Sequence, residues 1–96
     1  MSEEALYGQA DGVLARSFAD RAILARVGDD EFHVVTGSGR IVWELLSSPC
    51  TLLQLEQEVI SIYEVDGSTV TRDVRQLVSE LEVLGFLTRT EAAEEI

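Results

Sequence analysis

Thr69-Val-Thr-Arg-Asp-Val-Arg-Gln-Leu-Val-Ser-Glu-Leu-Glu-Val-Leu-Gly-Phe-Leu87 decides the fold. Val70, Val74, Leu77, Val78, Leu81 and Leu84 recur at helical spacing, and Gly85 supplies a left-handed stop before Phe86 and Leu87. The spacing predicts one amphipathic helix. Upstream lie two shorter helical stretches and, before them, three short strand-like runs. That order describes a small α+β winged-helix domain, a three-stranded antiparallel sheet followed by three helices.

Working backwards, Asp66-Gly67 closes a second helix, and Ser68 or Thr69 caps the third. The second helix runs to about Tyr63 with Leu52, Leu55, Val59 and Ile62 inward. Thr51-Leu-Leu-Gln54 has capping-box spacing at its start. The first helix spans Gly39 to Ser47, with Ile41, Val42, Leu45 and Leu46 on one side and Trp43 beside them; Ser48-Pro49 ends it. Thr36 or Ser38 caps it. The strands are Val13–Phe18, Ala22–Val27 and Glu31–Val35, with Ala19-Asp20-Arg21 and Gly28-Asp29-Asp30 as connections. Residues 1–11 read as a loose tail, residues 12–89 as the domain and residues 90–96 as a frayed acidic end.

Composition narrows the function. The chain has 96 residues and a net charge of −11, from 18 acids against 7 bases, all of them arginine. Such a surface repels phosphate backbones and anionic membranes. The chain suffices for one small core, without room for a large cofactor. Cys50 is the single cysteine, so neither a disulfide within the chain nor a cysteine-based zinc site is expected. No apolar run reaches the length of a membrane span, and the acidic N-terminus lacks the basic start and apolar middle of a signal peptide; the expected location is cytoplasmic.

Val35-Thr-Gly-Ser-Gly39 leading into Ile41-Val-Trp-Glu-Leu-Leu46 resembles the pyrroloquinoline-quinone biosynthesis protein D family. So do Pro49-Cys-Thr-Leu-Leu-Gln-Leu55, Ile62-Tyr-Glu-Val-Asp66, and Arg72-Asp-Val74 leading to Leu81 and Gly85-Phe-Leu87. The likeness covers residues 13–89; Val35-Thr36 stands where the family commonly has Leu-Asn. The resemblance implies a peptide chaperone, a precursor-peptide recognition element of natural-product biosynthesis. Such a protein binds the leader of a ribosomally made peptide and presents it to a modifying enzyme or leader peptidase, as in pyrroloquinoline-quinone, mycofactocin and lasso-peptide pathways.

The physics of such a role is strand addition, in which an extended guest pairs with an unpaired sheet edge. Each main-chain hydrogen bond contributes about 0.5–1.5 kcal/mol net. Ordering a flexible guest costs about 2–5 kcal/mol or more, so side-chain pockets must supply affinity and selectivity. The candidate edge is Phe32, His33, Val34 and Val35, and the facing wall is the third helix with Arg72, Arg75, Gln76 and Ser79. Either arginine is suited to a bidentate grip on an acidic leader side chain, and equally to pairing with Asp73 or Glu82.

Trp43 is a core residue by its neighbours, Cys50 an inert loop thiol, and Glu56/Glu58 and Glu80/Glu82 solvated helix faces. His33, the only histidine, has no evident nucleophile or orienting partner, so no catalytic residue, metal or cofactor is expected. Two other functions compete: a winged-helix DNA-binding regulator, whose recognition helix would carry Asp73, Glu80 and Glu82 beside its arginines, and a structural dimerisation subunit or homodimer.

Overall fold

A computed structural model describes residues 5–63 and 67–90. The elements are β1 (Leu6–Gln9), β2 (Val13–Phe18), β3 (Arg21–Arg26), β4 (Phe32–Thr36), α1 (Ser38–Leu45), α2 (Leu52–Tyr63), α3 (Gly67–Val83) and β5 (Leu87–Thr90). The antiparallel sheet β2-β3-β4 followed by α1, α2 and α3 is the α+β arrangement expected from the sequence.

The sheet register assigns each face. Leu24 pairs with Ala15 and His33, and Ala22 with Ser17 and Val35. Leu24, Ala22 and Val35 are buried, so this face meets the helices. The opposite face carries three cross-strand rows: Leu14–Ala25–Phe32, Arg16–Ile23–Val34 and Phe18–Arg21–Thr36. No helix of the described residues covers it; Leu14, Phe18 and Phe32 are each more than 60% exposed.

α3 ends as its sequence indicates. Gly85 adopts φ +89. The Phe86 N–H donates to the Leu81 carbonyl at 2.9 Å and the Gly85 N–H to that of Glu82 at 3.0 Å, the two bonds of a Schellman motif. Leu81 and Phe86 are both buried, which supplies the hydrophobic contact that accompanies this motif. Val70, Val74, Val78 and Leu81 form the buried stripe of the helix. The capping box of α2 is present: the Thr51 N–H donates to Gln54 Oε1 at 2.9 Å, and the Gln54 N–H to Thr51 Oγ1 at 3.1 Å.

The structure departs from the sequence reading at several places. Residues 6–9, read as part of a loose tail, form β1, which pairs antiparallel with β5 through Leu6–Thr90 to Gln9–Leu87. Thr90, read as the start of a frayed end, closes that pairing; the remainder of both tails, residues 1–4 and 91–96, lies outside the described residues. On its other side Tyr7 exchanges backbone bonds with Cys50, at 2.8 and 3.0 Å. Ala5 and Tyr7 are thereby buried. Neither Thr36 nor Ser38 caps α1. Thr36 stays in β4, Ser38 is already helical, and Gly37 at φ +56 makes the turn without a side-chain cap. Its N–H instead donates to the Asp20 carbonyl at 2.9 Å, tying the β2–β3 hairpin to the β4–α1 junction. Ser68 and Thr69 lie inside α3, and residues 64–66, where its cap would fall, are outside the described residues. Ile62 is half-exposed, and Ile60 packs against the core in its place.

Two polar links join the layers. Glu56 of α2 is a buried carboxylate that accepts from Arg75 Nε at 2.9 Å and from Thr71 Oγ1 at 3.4 Å, both on α3. Glu44 of α1 accepts from Arg40 at 2.8 Å and from Ser17 of β2 at 3.0 Å. Those bonds, Arg40's first, hold the Glu44 carboxyl below its usual value.

Two expectations follow. Gly85→Ala places a Cβ at a backbone conformation that L-residues rarely adopt and against the Arg26 guanidinium. It is expected to lower unfolding stability by about 1–3 kcal/mol in urea titration. Because the folded-state pKa of Glu44 is depressed, its contribution is present above the unfolded value and is lost as pH falls through the folded one. On acidification through the ordinary carboxylate range and below it, the parent chain therefore loses more thermal stability than Glu44→Gln, which scanning calorimetry at stepped pH reads directly.

Candidate peptide-binding site

In the order β2-β3-β4 the outer strand β4 pairs only with β3, so its second edge is unpaired among the described residues. On that edge alternate residues direct their N–H and C=O groups outward. The register fixes the side chains: His33 and Val35 point toward the helices, Phe32 and Val34 away from them. All four candidate residues of the edge thus lie on one strand, split between two faces.

α1 packs against β4, and α3 reaches the same region through Leu77. Leu77 and Val35 converge on Gly39 of α1, where an added Cβ would lie 3.5 Å from each. At the other end, the rings of His33 and Phe86 stand 6.1 Å apart at 36°. Phe86 reaches this position because the turn at Gly85 directs it back into the core.

Where β4 gives way to α1, a cavity of about 410 Å³ opens between α1, α2 and α3. Its floor is Val42, Val59, Val70 and Val74, all buried, with the half-buried Leu77. Its rim is Ser38, Tyr63, Thr69 and Asp73, all exposed. The cavity is apolar beneath and polar at its mouth, which suits an anchoring apolar side chain whose main chain remains at the surface.

The third-helix candidates are placed less uniformly. Arg75 faces α2 and is engaged by Glu56. Arg72 is exposed, 3.6 Å from Asp73. Gln76 donates to Glu80 at 3.4 Å, and Ser79 is exposed. Beside the buried Val70 and Val74, the residues of α3 that line the cavity are Thr69, Asp73 and Leu77, which share one row at spacing four. An amphipathic stripe has two flanks, and the sequence does not say which lies toward the sheet. Thr69, Asp73 and Leu77 line the cavity with Tyr63, Val42 and Val59 and are not among the sequence candidates; the row 69-73-77 was the available signal.

The remaining chemistry is sparse. Burial raises the Cys50 thiol above its ordinary value, with the charge of Glu58 adding to the effect, which is opposite to activation. No group of three or more His, Cys, Asp or Glu that could hold a metal ion occurs among the described residues. No helix of the described residues is long and apolar enough to cross a membrane.

Comparison with known proteins accords with this geometry. No curated protein matches the chain. The solved structure of TbiB1 in complex with the TbiA(beta) leader peptide superposes with a TM-score of 0.75 at 22% identity, over 92% of this chain and 99% of that one. The two share a fold. A family model described as Coenzyme PQQ synthesis protein D (PqqD) matches residues 21–87, from the start of β3 through the first residue of β5. By that match, over well more than half of its length, the chain belongs to the PqqD family.

Proposed function

We propose that this protein is a non-catalytic chaperone that binds the leader of a ribosomally synthesised precursor peptide by strand addition at β4. It then presents that peptide to a modifying enzyme or leader peptidase in the cytoplasm. The observation that carries the reading is the edge of Phe32–Val35, unpaired among the described residues, together with an apolar cavity whose lining starts at Ser38, just beyond β4. Family membership and the leader-bound state of the TbiB1 structure support it.

Leader residues alternate between two environments in this arrangement. Those beside His33 and Val35 turn toward α3, and one of them seats in the cavity over Val70 and Val74. On α3 the proposed contacts shift from Arg72, Arg75 and Ser79 to Thr69, Asp73 and Leu77, because Arg75 is already committed to Glu56. A leader carrying a basic or hydroxyl group near its anchor would be favoured by Asp73 at the rim. The same pairing of Arg72 and Arg75 with carboxylates weakens the case for α3 as a DNA-recognition helix.

The test uses the synthetic leader of the precursor encoded beside this chain's gene, labelled with fluorescein. Backbone N-methylation removes one amide donor at a time. Fluorescence anisotropy is expected to show losses of about tenfold at alternate positions only, as strand pairing demands. Leu77→Ala should weaken the unmodified leader by a comparable factor, whereas Arg72→Ala should not. A flat N-methylation profile would refute strand addition.

A further inference from the structure

The mouth of the cavity between α1, α2 and α3 has a chemistry of its own. Its rim is Ser38, Tyr63, Thr69 and Asp73. Three of these offer hydroxyls and the fourth a carboxylate, so every polar side-chain atom at the mouth is an oxygen. A carboxylate only accepts, and a hydroxyl accepts as well as donates. No arginine or histidine lines the cavity among the described residues. The arginines on the surrounding helices are paired elsewhere. Arg75 bonds the buried Glu56 at 2.9 Å, and Arg40 bonds Glu44 at 2.8 Å. Arg72 stands beside Asp73 itself, but at 3.6 Å, with the two side chains 75% and 65% exposed. A solvated pair of that kind holds its partners weakly.

We infer that Asp73 selects the guest by charge: the segment held at β4 carries a lysine or arginine two positions from the apolar side chain that enters the cavity. That selection rests on leader binding at β4, to which it adds the chemical class of the leader. The spacing comes from strand geometry. Side chains i and i+2 of an extended guest share a face and stand about 7 Å apart, whereas i+1 points to the other face of the sheet. With one side chain seated over Val70 and Val74, a neighbour two positions away passes over the mouth. Asp73 stands on the rim within one helical turn of both valines.

The donor count then decides the neighbour. An ammonium brings three N–H donors and a guanidinium five, into a mouth of oxygens. A guest hydroxyl brings one donor and no charge. A guest carboxylate would face Asp73 with no cation on the rim to offset it. The net charge of −11 acts in the same direction, attracting a basic segment before contact and repelling an acidic one. The opposite grip, an arginine of α3 on an acidic leader residue, is left with Arg72 alone, since Arg75 is held by Glu56. The two grips differ in sign. Removing Arg72 weakens an acidic guest, whereas for a basic guest it removes a competitor for Asp73.

The test uses the full chain and the fluorescein leader described above. An alanine scan of the leader locates its apolar anchor, and each leader lysine or arginine is changed singly to glutamine and to glutamate. Asp73→Asn and Asp73→Lys alter an exposed position, and thermal midpoints confirm folding of each. By anisotropy, Asp73→Asn is expected to weaken the parent leader about threefold to fivefold, and Asp73→Lys about tenfold. One basic leader residue, two positions from the anchor, should account for this. Its change to glutamine should weaken binding to the parent chain by the same factor and binding to Asp73→Asn hardly at all. Its change to glutamate should be rescued at least fivefold by Asp73→Lys. Arg72→Ala should leave the parent leader's affinity unchanged or tighten it by up to about twofold. Added salt should weaken the parent pair more than the Asp73→Asn pair.

Three results would overturn charge selection while leaving leader binding intact. They are a bound leader with no basic residue at that spacing, independent losses for Asp73 and the leader base in the double-mutant cycle, and a parent leader weakened by Arg72→Ala. A parent chain that binds no leader at all would refute the leader reading, and charge selection would fall with it.

Discussion

The turn at Gly85 is the constraint on which the rest of the molecule depends. A left-handed residue there stops α3 and closes two backbone bonds, from Phe86 to Leu81 and from Gly85 to Glu82. Phe86 returns to the core and faces His33. Leu87 begins β5, which runs back along β1 rather than along the sheet. The last strand pairs with β1, and β1 in turn bridges to Cys50, so that β4 keeps one edge unpaired among the described residues. One glycine conformation therefore links a helix stop, a core ring and the pairing of the two terminal strands.

Charge is distributed with the same economy. Arg75 is spent on the buried Glu56, Arg40 on Glu44, and Arg72 lies beside Asp73. The pair of buried Glu56 with half-exposed Arg75 links α2 to α3, and removing its arginine alone would leave the buried carboxylate without its cation. Arg26 lies over Gly85. Arg16 and Arg21 share the outer sheet face. Local charge there thus differs in sign from the net −11 of the whole chain.

Much of the fold was legible because periodicity and punctuation agreed. Three strands, three helices, the Thr51–Gln54 box and the Gly85 stop each had a local signal. β1 had almost none: Leu6-Tyr-Gly-Gln9 is four residues with a glycine, and its stability comes from β5, more than seventy residues away in the sequence. Non-local pairing of so short a strand leaves no pattern within the strand itself. The Gly37 turn was missed for a related reason. Thr36 and Ser38 have the chemistry of a cap, yet β4 pairing retains the first and the helix takes the second. The edge strand follows from element order, whereas the flank of α3 that meets the cavity is set by how α2 and α3 roll against each other, which the Glu56–Arg75 pair fixes only in three dimensions.

The division between edge and cavity also has an energetic reason. A leader of about five paired residues gains a few main-chain bonds of about 0.5–1.5 kcal/mol each, close to the cost of ordering it. The edge alone is therefore a weak and indiscriminate ligand for any extended chain. Discrimination must come from the cavity between α1, α2 and α3, where Val42, Val59, Val70 and Val74 present a dry floor and Asp73 a single charge. In the proposed mode of binding, the edge would set the direction and register of the guest and the cavity would select which guest is held, so that unseating the anchoring side chain would leave only the weak main-chain pairing.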